Sequence, residues 1–218
     1  PRILFEQAAK DGKLTPLGLD ALRRVLIIAD DAYMRYGDLS KRGEREQMGI
    51  AERMAKSYPQ VFKSKDSQHV TCLASPSVRC VMSMAAFTER LKELYPHLEL
   101  SRSASEHDID ITRPEKNMNI FYDKARKIAK DYQKQHTEDR QFISRLFTDY
   151  DYAVKLICDT YKVDNTYAFM GNMHDLAIIV QNFDDLPSLH DLFTEEERYQ
   201  MWSFFNIRRY LSYGPSLD

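Results

Sequence analysis

The sequence predicts an α/β protein in which helices predominate. A strand, a helix and a second strand follow one another between residues 69 and 103, and this order is typical of a parallel strand pair with a crossover helix. Beyond Arg113-Pro114 apolar residues recur only at helical spacing. We therefore expect a partial α/β core over residues 1–112, with few strands, and an all-helical domain over residues 113–218.

Two helices are predicted before the first strand. Thr15-Pro16 is typical of an N-cap followed by proline at the first helical position. The next helix carries apolar residues from Met48 to Ala55 and should stop before Tyr58-Pro59, because the residue before a proline disfavours the α conformation.

The two predicted strands are segments rich in β-branched and apolar residues. His69 to Ala74 is predicted as the first strand and Leu98 to Ser103 as the second. Between them we expect a helix with Ser75 as its N-cap and Pro76 at its first position.

In residues 113–218 the pattern of apolar residues predicts helices throughout. The last helix should begin after Thr194, place Glu195 to Glu197 at its positive dipole end, and stop near Gly214-Pro215. We expect its aromatic stripe to pack in the core rather than stack on nucleic-acid bases, because no basic groove accompanies it. The stripe comprises Tyr199, Trp202, Tyr210 and Tyr213.

Composition excludes several classes of function. The net charge is −2, so no global field attracts nucleic acid, and no apolar run reaches the roughly 20 residues that membrane insertion needs. No glycine lies between Gly49 and Gly171, so no glycine-rich nucleotide loop is present and no cofactor is expected. The three cysteines lack metal-ligand spacing, and no metal is expected.

Arg79 is the main candidate for chemistry. It falls in the first turn of the helix after the first strand, where the helix dipole opposes a cation. A bound anion would remove this conflict, since free N–H groups and the guanidinium would both contact phosphate. The alternative is an ordinary solvated or ion-paired arginine.

The pattern Ser75 to Arg79-Cys80, followed by Ala86-Phe87 and Leu91, resembles the histidine acid phosphatases. Residues 39–54 resemble the segment of the same family that has a glycine in a turn before a helix, and the Thr15-Pro16-Leu17-Gly18 start also fits. Residues 113–214 are similar, more weakly, to the helical domain of the multiple inositol-polyphosphate phosphatases, a phytase-like branch.

The resemblance implies hydrolysis of phosphomonoesters, with inositol polyphosphates such as phytate preferred, through a phosphohistidine intermediate. It assigns Arg79 to phosphate binding and transition-state stabilisation, and it implies an exported protein. The family's Arg-His-Gly-x-Arg nucleophile motif is not in this chain. The family places that motif upstream of the region where Pro1 begins, and its acid motif beyond residue 218.

We therefore expect the middle of an enzyme, with neither nucleophile nor general acid, that hydrolyses no phytate by itself. The alternatives are a general acid or sugar-phosphate phosphatase, and a noncatalytic helical binding module on the same scaffold.

Three His-Asp pairs occur, and His107-Asp108 follows the second predicted strand, which could deliver His107 to substrate phosphates. The alternative for His107 is a position in a solvated loop. We interpret His174-Asp175 as a helix-start aspartate beside a surface or capping histidine. His190-Asp191 is interpreted as part of a polar loop.

Overall fold

The computed structural model describes residues 1–63, 69–108, 122–136 and 138–213. These residues are mostly helical, with ten α-helices and one two-stranded parallel sheet. The chain divides into two compact units. The helical unit comprises Pro1–Met34 and Ile120–Asp218, and the α/β unit comprises Arg35–Asn119, which lies between those two segments in the sequence.

The helical unit begins with two helices and continues with five after the α/β unit. The first two are α1 (Arg2–Lys10) and α2 (Pro16–Asp31). The later ones are α6 (Tyr122–His136), α7 (Arg140–Leu146), α8 (Tyr150–Tyr161), α9 (Tyr167–Val180) and α10 (Glu195–Tyr213). A short 3₁₀ segment, His190–Leu192, lies between α9 and α10.

The start of α2 confirms the predicted cap and also joins the two segments of the helical unit. Thr15 Oγ1 accepts a hydrogen bond from the N–H of Gly18 at 3.0 Å. The N–H of Thr15 donates to the carbonyl oxygen of Leu146 at 3.0 Å, and Leu14 forms a β-bridge with Phe147. The cap residue is therefore held by the end of α7 as well as by its own helix.

Aromatic packing explains why residues 1–34 belong with the C-terminal helices. Phe5 is fully buried, stacks on Phe147 at 5.8 Å between ring centroids, and meets the edge of Phe169 at 5.6 Å. The unit division thus differs from the predicted boundary at 112/113, which placed these residues with the α/β part. The boundary itself lies outside the described residues.

The α/β unit contains α3 (Lys41–Ser57), α4 (Pro59–Phe62), β1 (His69–Leu73), α5 (Val78–Leu94) and β2 (Glu99–Ser103). The two strands are parallel, with His69 opposite Glu99 and Leu73 opposite Ser103. The predicted strands and their crossover helix are confirmed. The core of this unit includes a cluster of Ala51, Phe62, Leu91 and Leu98.

Of the two predicted helix ends, one can be compared with the structure. The helix before Tyr58-Pro59 stops at Ser57, as predicted. The predicted end near Gly214-Pro215 lies outside the described residues, although α10 does begin at Glu195 with three glutamates in its first turn. Within the described part of the chain, no helix combines the length and apolar character needed to cross a membrane.

The prediction that the aromatic stripe of α10 packs in the core is wrong. Tyr199, Trp202 and Tyr210 are 59%, 58% and 62% exposed, and the side chain of Tyr213 is outside the described residues. The core side of α10 is formed instead by residues such as Met201, which is 1% exposed. The three rings therefore lie on the outer face of this helix.

Candidate functional site

The start of α5 differs from the predicted one by two residues. Ser77, not Ser75, is the N-cap, and Val78 is the first helical residue. The N–H groups of Cys80 and Val81 both donate to the carbonyl oxygen of Ser77, at 2.9 and 3.1 Å. The prediction of Ser75 as the cap and Pro76 as the first helical residue is therefore wrong. The N–H of Ala74 donates to the carbonyl oxygen of Ser103 at 3.0 Å, which extends the hydrogen bonds between the strands by one residue, so the helix begins further along the chain.

Arg79 nevertheless lies in the first turn of α5, as predicted, and its side chain is exposed. It forms no hydrogen bond or ion pair with other residues that the structure describes. The loop around Gly37 is its neighbour, since a Cβ built on Gly37 would lie 3.9 Å from Arg79 Nη1. The guanidinium is thus available to an external anion.

The N–H groups at the start of α5 have no side-chain cap. Thr15 and Ser40 cap α2 and α3 through their hydroxyl oxygens, but Ser77 makes no such bond, and its Oγ lies 3.3 Å from Ser75 Oγ. The first N–H groups of a helix have no partner within the helix. Together with the helix dipole, they favour an anion at this position.

An open pocket of about 660 Å³ lies beside this helix start, between α3, α5 and the carboxyl end of β1. Its apolar lining consists mainly of Ile50, Leu73, Ala74, Met84 and Phe87. Its polar lining includes Gln47, Ser75 and Ser83. Arg79 is not part of the lining, but it lies one helical turn before Ser83 and therefore on the same side of α5.

Two thiols, those of Cys72 and Cys80, also line this pocket. Burial raises the pKa of the Cys72 thiol, and the nearby charge of Arg102 offsets only part of that rise. Reactive cysteines have lowered pKa values because the thiolate is the nucleophile. Cys72 therefore lacks the activation that a nucleophilic cysteine needs.

His107 lies in the short 3₁₀ segment Glu106–Asp108 that follows β2. Its side chain is exposed, and its N–H donates to Ser105 Oγ at 3.0 Å. Because β1 and β2 are parallel neighbours, the segments leading to Arg79 and His107 leave the sheet at the same edge. The sheet therefore directs both candidate residues to one side of the unit.

The other two His-Asp pairs occupy the helical unit. His174 lies in the middle of α9 and is only 5% exposed, so the interpretation of a surface histidine beside a helix-start aspartate is wrong. Its neighbours in the helix, Met170, Met173 and Ala177, are fully buried, which is the helical periodicity that could have revealed it. His190 begins the short 3₁₀ segment, and Asp191 forms an ion pair with Arg24 at 2.6 Å.

The contribution of α3 to the pocket was not predicted. Gln47 and Ile50 face the pocket because α3 packs along α5, an arrangement with no local signal in the sequence. Among the residues that the structure describes, no three His, Cys, Asp or Glu side chains are close enough to hold a metal ion.

The chain matches no model of a known protein family, and no curated protein matches it. The interpretation of the site therefore depends on the residues and their geometry.

Proposed function

We propose that the α/β unit binds a phosphate group at the start of α5, as the phosphate-holding part of a phosphomonoesterase that acts on inositol polyphosphates. The observation that supports this most is the combination of an exposed Arg79 with an uncapped helix N-terminus. A guanidinium fork and backbone N–H groups are the donors that bind phosphate oxygens in proteins.

The proposed chemistry is transfer of the phosphoryl group to a histidine nitrogen. The ester P–O bond breaks as the N–P bond forms, and an acid protonates the leaving alcohol; water then hydrolyses the phosphohistidine. Arg79 would stabilise the charge that develops on the equatorial oxygens. The nucleophile motif has no counterpart in these 218 residues, so the proposal assigns turnover to a protein that includes it.

His107 would contact a second phosphate group of the same substrate. Its segment leaves the sheet at the same edge as the segment that leads to Arg79. An inositol polyphosphate carries several phosphates around one ring, so contacts at separate positions are expected of its binding site.

Phosphate binding can be tested on the 218-residue chain without turnover. Calorimetry with inositol hexakisphosphate should show binding that Arg79→Ala weakens by roughly tenfold or more, because a charged hydrogen bond is lost. Arg79→Lys should recover little of it, since an ammonium cannot reproduce the planar fork. Arg53→Ala removes another exposed arginine of the same unit and should leave binding unchanged.

Equal affinity in wild type and Arg79→Ala would reject the assignment of Arg79. In the enzyme that contains the nucleophile, Arg79→Ala should lower kcat by about 10²–10³ while leaving Tm nearly unchanged, because an exposed arginine supports little packing.

The apolar lining of the pocket favours a second candidate, a noncatalytic binding module. Ile50, Leu73, Met84 and Phe87 would bury apolar surface of a ligand, which inositol polyphosphates do not offer. The variant Met84→Gln distinguishes the two candidate functions. It should weaken the binding of an apolar ligand to this pocket but leave the binding of inositol hexakisphosphate at Arg79 unchanged.

A further inference from the structure

The outer edge of β1 carries backbone groups that no other strand uses. The N–H of Ala74 donates to the carbonyl oxygen of Ser103 at 3.0 Å, so the backbone groups of Ala74 face β2. The N–H and C=O groups of successive residues in a strand point to opposite edges. Those of Thr71 and Leu73 therefore point away from β2, and they have no hydrogen-bond partner among the residues that the structure describes. Such a row of donors and acceptors is a template for a further strand.

The apolar pocket of about 660 Å³ lies along this same edge. Of the two strands, all of whose residues the structure describes, β1 contributes Cys72 and Leu73 to the lining and β2 contributes none. The pocket is therefore on the side of β1 that faces away from β2, with α3 and α5 as its other walls. Because side chains of a strand alternate between two faces, a segment paired with β1 would place every second side chain against Ile50 of α3 and Phe87 of α5.

The composition of the two strands favours β1 over β2 as the strand that pairs. Natural sheets protect exposed edges with charged residues, prolines or bulges. β2 carries Glu99 and Arg102, whereas His69–Leu73 contains no proline, lysine, arginine or carboxylate. Parallel strands also normally lie in larger sheets that are covered on both faces, and a sheet of two strands is small. The open edge of β1 is therefore the place where this sheet can grow.

We propose that the groove between α3, α5 and β1 docks an extended segment of another polypeptide, which adds to the sheet beside β1. This assignment rests on the binding function considered above for the apolar pocket and does not depend on the phosphate site at Arg79. Main-chain hydrogen bonds to Thr71 and Leu73 hold the segment, and the apolar lining selects β-branched or aromatic residues at alternate positions. A small apolar molecule could fill the pocket but could not pair with the backbone groups of the edge.

The experiment follows the backbone amides of the 218-residue chain by NMR during titration with acetyl-Lys-Val-Thr-Val-Thr-Val-Lys-amide, whose apolar residues alternate with polar ones. We expect saturable shifts and slower hydrogen exchange of the Thr71 and Leu73 N–H groups, at peptide concentrations on the order of 1 mM or below. The N–H groups of Leu100 and Arg102, which point away from β1 by the same alternation, should not respond. The same peptide with methylated backbone nitrogens keeps its side chains but cannot donate, and it should bind at least roughly tenfold more weakly.

Thr71→Pro and Thr71→Val form a matched pair of variants. Proline removes the N–H that points away from β2 and leaves the hydrogen bonds between the two strands in place. Valine keeps this N–H and removes only the hydroxyl. Binding of the peptide should fall at least roughly tenfold in Thr71→Pro and stay unchanged in Thr71→Val. The amide signals of Leu100 and Arg102 in β2 show whether each variant is folded.

A second pair of variants tests the groove without changing the strand. Ile50 lines the pocket and is 40% exposed, so Ile50→Gln should weaken peptide binding by roughly fivefold because apolar contact is lost. Val61 is an apolar residue of the same unit that is 50% exposed and does not line the pocket. Val61→Gln should therefore leave peptide binding unchanged, as should Arg79→Ala.

Titration with cyclohexanol separates strand docking from simple filling of the pocket. Binding of cyclohexanol that Ile50→Gln weakens, without any binding of the peptide, would keep the apolar binding function and overturn strand docking. Equal affinity for the peptide and its N-methylated form would also overturn it, because the backbone would then contribute nothing. So would a dimer of the free chain in sedimentation equilibrium that Thr71→Pro converts to monomers, since a second copy would then occupy the edge. Binding of inositol hexakisphosphate, measured on the same samples, reports on the phosphate site alone.

Discussion

Arg24 and Asp191 form an ion pair with 2.6 Å between Nη1 and Oδ1, although 167 positions separate them in the chain. Arg24 is 7% exposed and also donates to the carbonyl oxygen of Ser188 at 2.7 Å. A second carboxylate, that of Asp20, lies 2.7 Å from Arg24 Nη2. One guanidinium therefore attaches the segment before α10 to α2.

Replacing Arg24 by methionine should destabilise the helical unit. The carbonyl oxygen of Ser188 loses its donor and Asp191 its partner, which costs about 1–3 kcal/mol. The control is Arg23→Met: Arg23 is the neighbouring residue, its side chain is 63% exposed, and among the described residues it pairs only with Asp20, so its loss should cost less than about 1 kcal/mol. Urea unfolding followed by Trp202 fluorescence measures both. Equal losses would show that the buried contacts of Arg24 contribute nothing.

Gly18→Ala should destabilise the chain, although alanine normally favours a helix. A Cβ at Gly18 would overlap the carbonyl oxygen of Leu146, so α2 and α7 would have to separate. We expect a loss of about 1–3 kcal/mol. The matched substitution is Gly171→Ala in the interior of α9, where a Cβ meets nothing within 4 Å. That change should instead stabilise by about 0.5–1 kcal/mol.

His174 should make the helical unit sensitive to mild acid. Burial lowers the pKa of its imidazole, while the charge of Asp175 opposes that change and His190 adds to it. Nδ1 is buried without a hydrogen-bond partner among the described residues, and the ring packs against Phe193 and Phe205.

The lowered pKa of His174 determines whether acid stabilises or destabilises the fold. In the unfolded chain the imidazole takes up a proton as the pH falls below about 6.5, whereas the folded state resists protonation. The free energy of unfolding should therefore fall by up to about 1.4 kcal/mol per pH unit below that value. His174→Leu should remove this part of the pH dependence, and His97→Gln, at an exposed position, should not. An unchanged slope in His174→Leu would contradict the assignment.

Tyr152 should titrate well above a free tyrosine. Burial and a hydrogen bond to Asp11 raise the pKa of Tyr152 to about 12, and the distance from its hydroxyl to Asp11 Oδ2 is 2.5 Å. Asp11→Asn should lower this pKa only in part, since burial is the larger cause. The measurement is the ¹³C chemical shift of tyrosine Cζ against pH, with Tyr152→Phe identifying the signal. Asp185→Asn is the control. If it lowered the pKa of Tyr152 as much as Asp11→Asn does, the hydrogen bond between Tyr152 and Asp11 would not be the cause of the change.

Local signals predicted most of the secondary structure. Thr15 capped its helix as expected, and the parallel strands agree with the predicted segments to within a residue. The start of α5 was misplaced because Ser75 and Ser77 are both good cap residues. The choice between them depends on the hydrogen bond from Ala74 to Ser103, a partner 29 positions away that no local pattern contains.

Long-range packing was not predictable from one sequence. The contacts of Phe5 with Phe147 and Phe169 decide the grouping of the N-terminal helices, yet hydrophobic periodicity shows only that a helix has an apolar side. For the same reason the exposed rings of Tyr199 and Trp202 were assigned to the core. An aromatic stripe at helical spacing does not reveal which side of a helix its neighbours cover.

The order of the segments also has a consequence for synthesis. The ribosome releases α1 and α2 before the other helices of their unit, and Phe142, Phe147 and Phe169, which complete their core, emerge more than a hundred residues later. The α/β unit has all its residues in one stretch, Arg35–Asn119, and can fold while the rest is still being made. At about 5–20 residues per second, these two helices wait roughly 6–22 s with their apolar sides uncovered. During that interval the nascent chain depends on chaperones or on its own solubility.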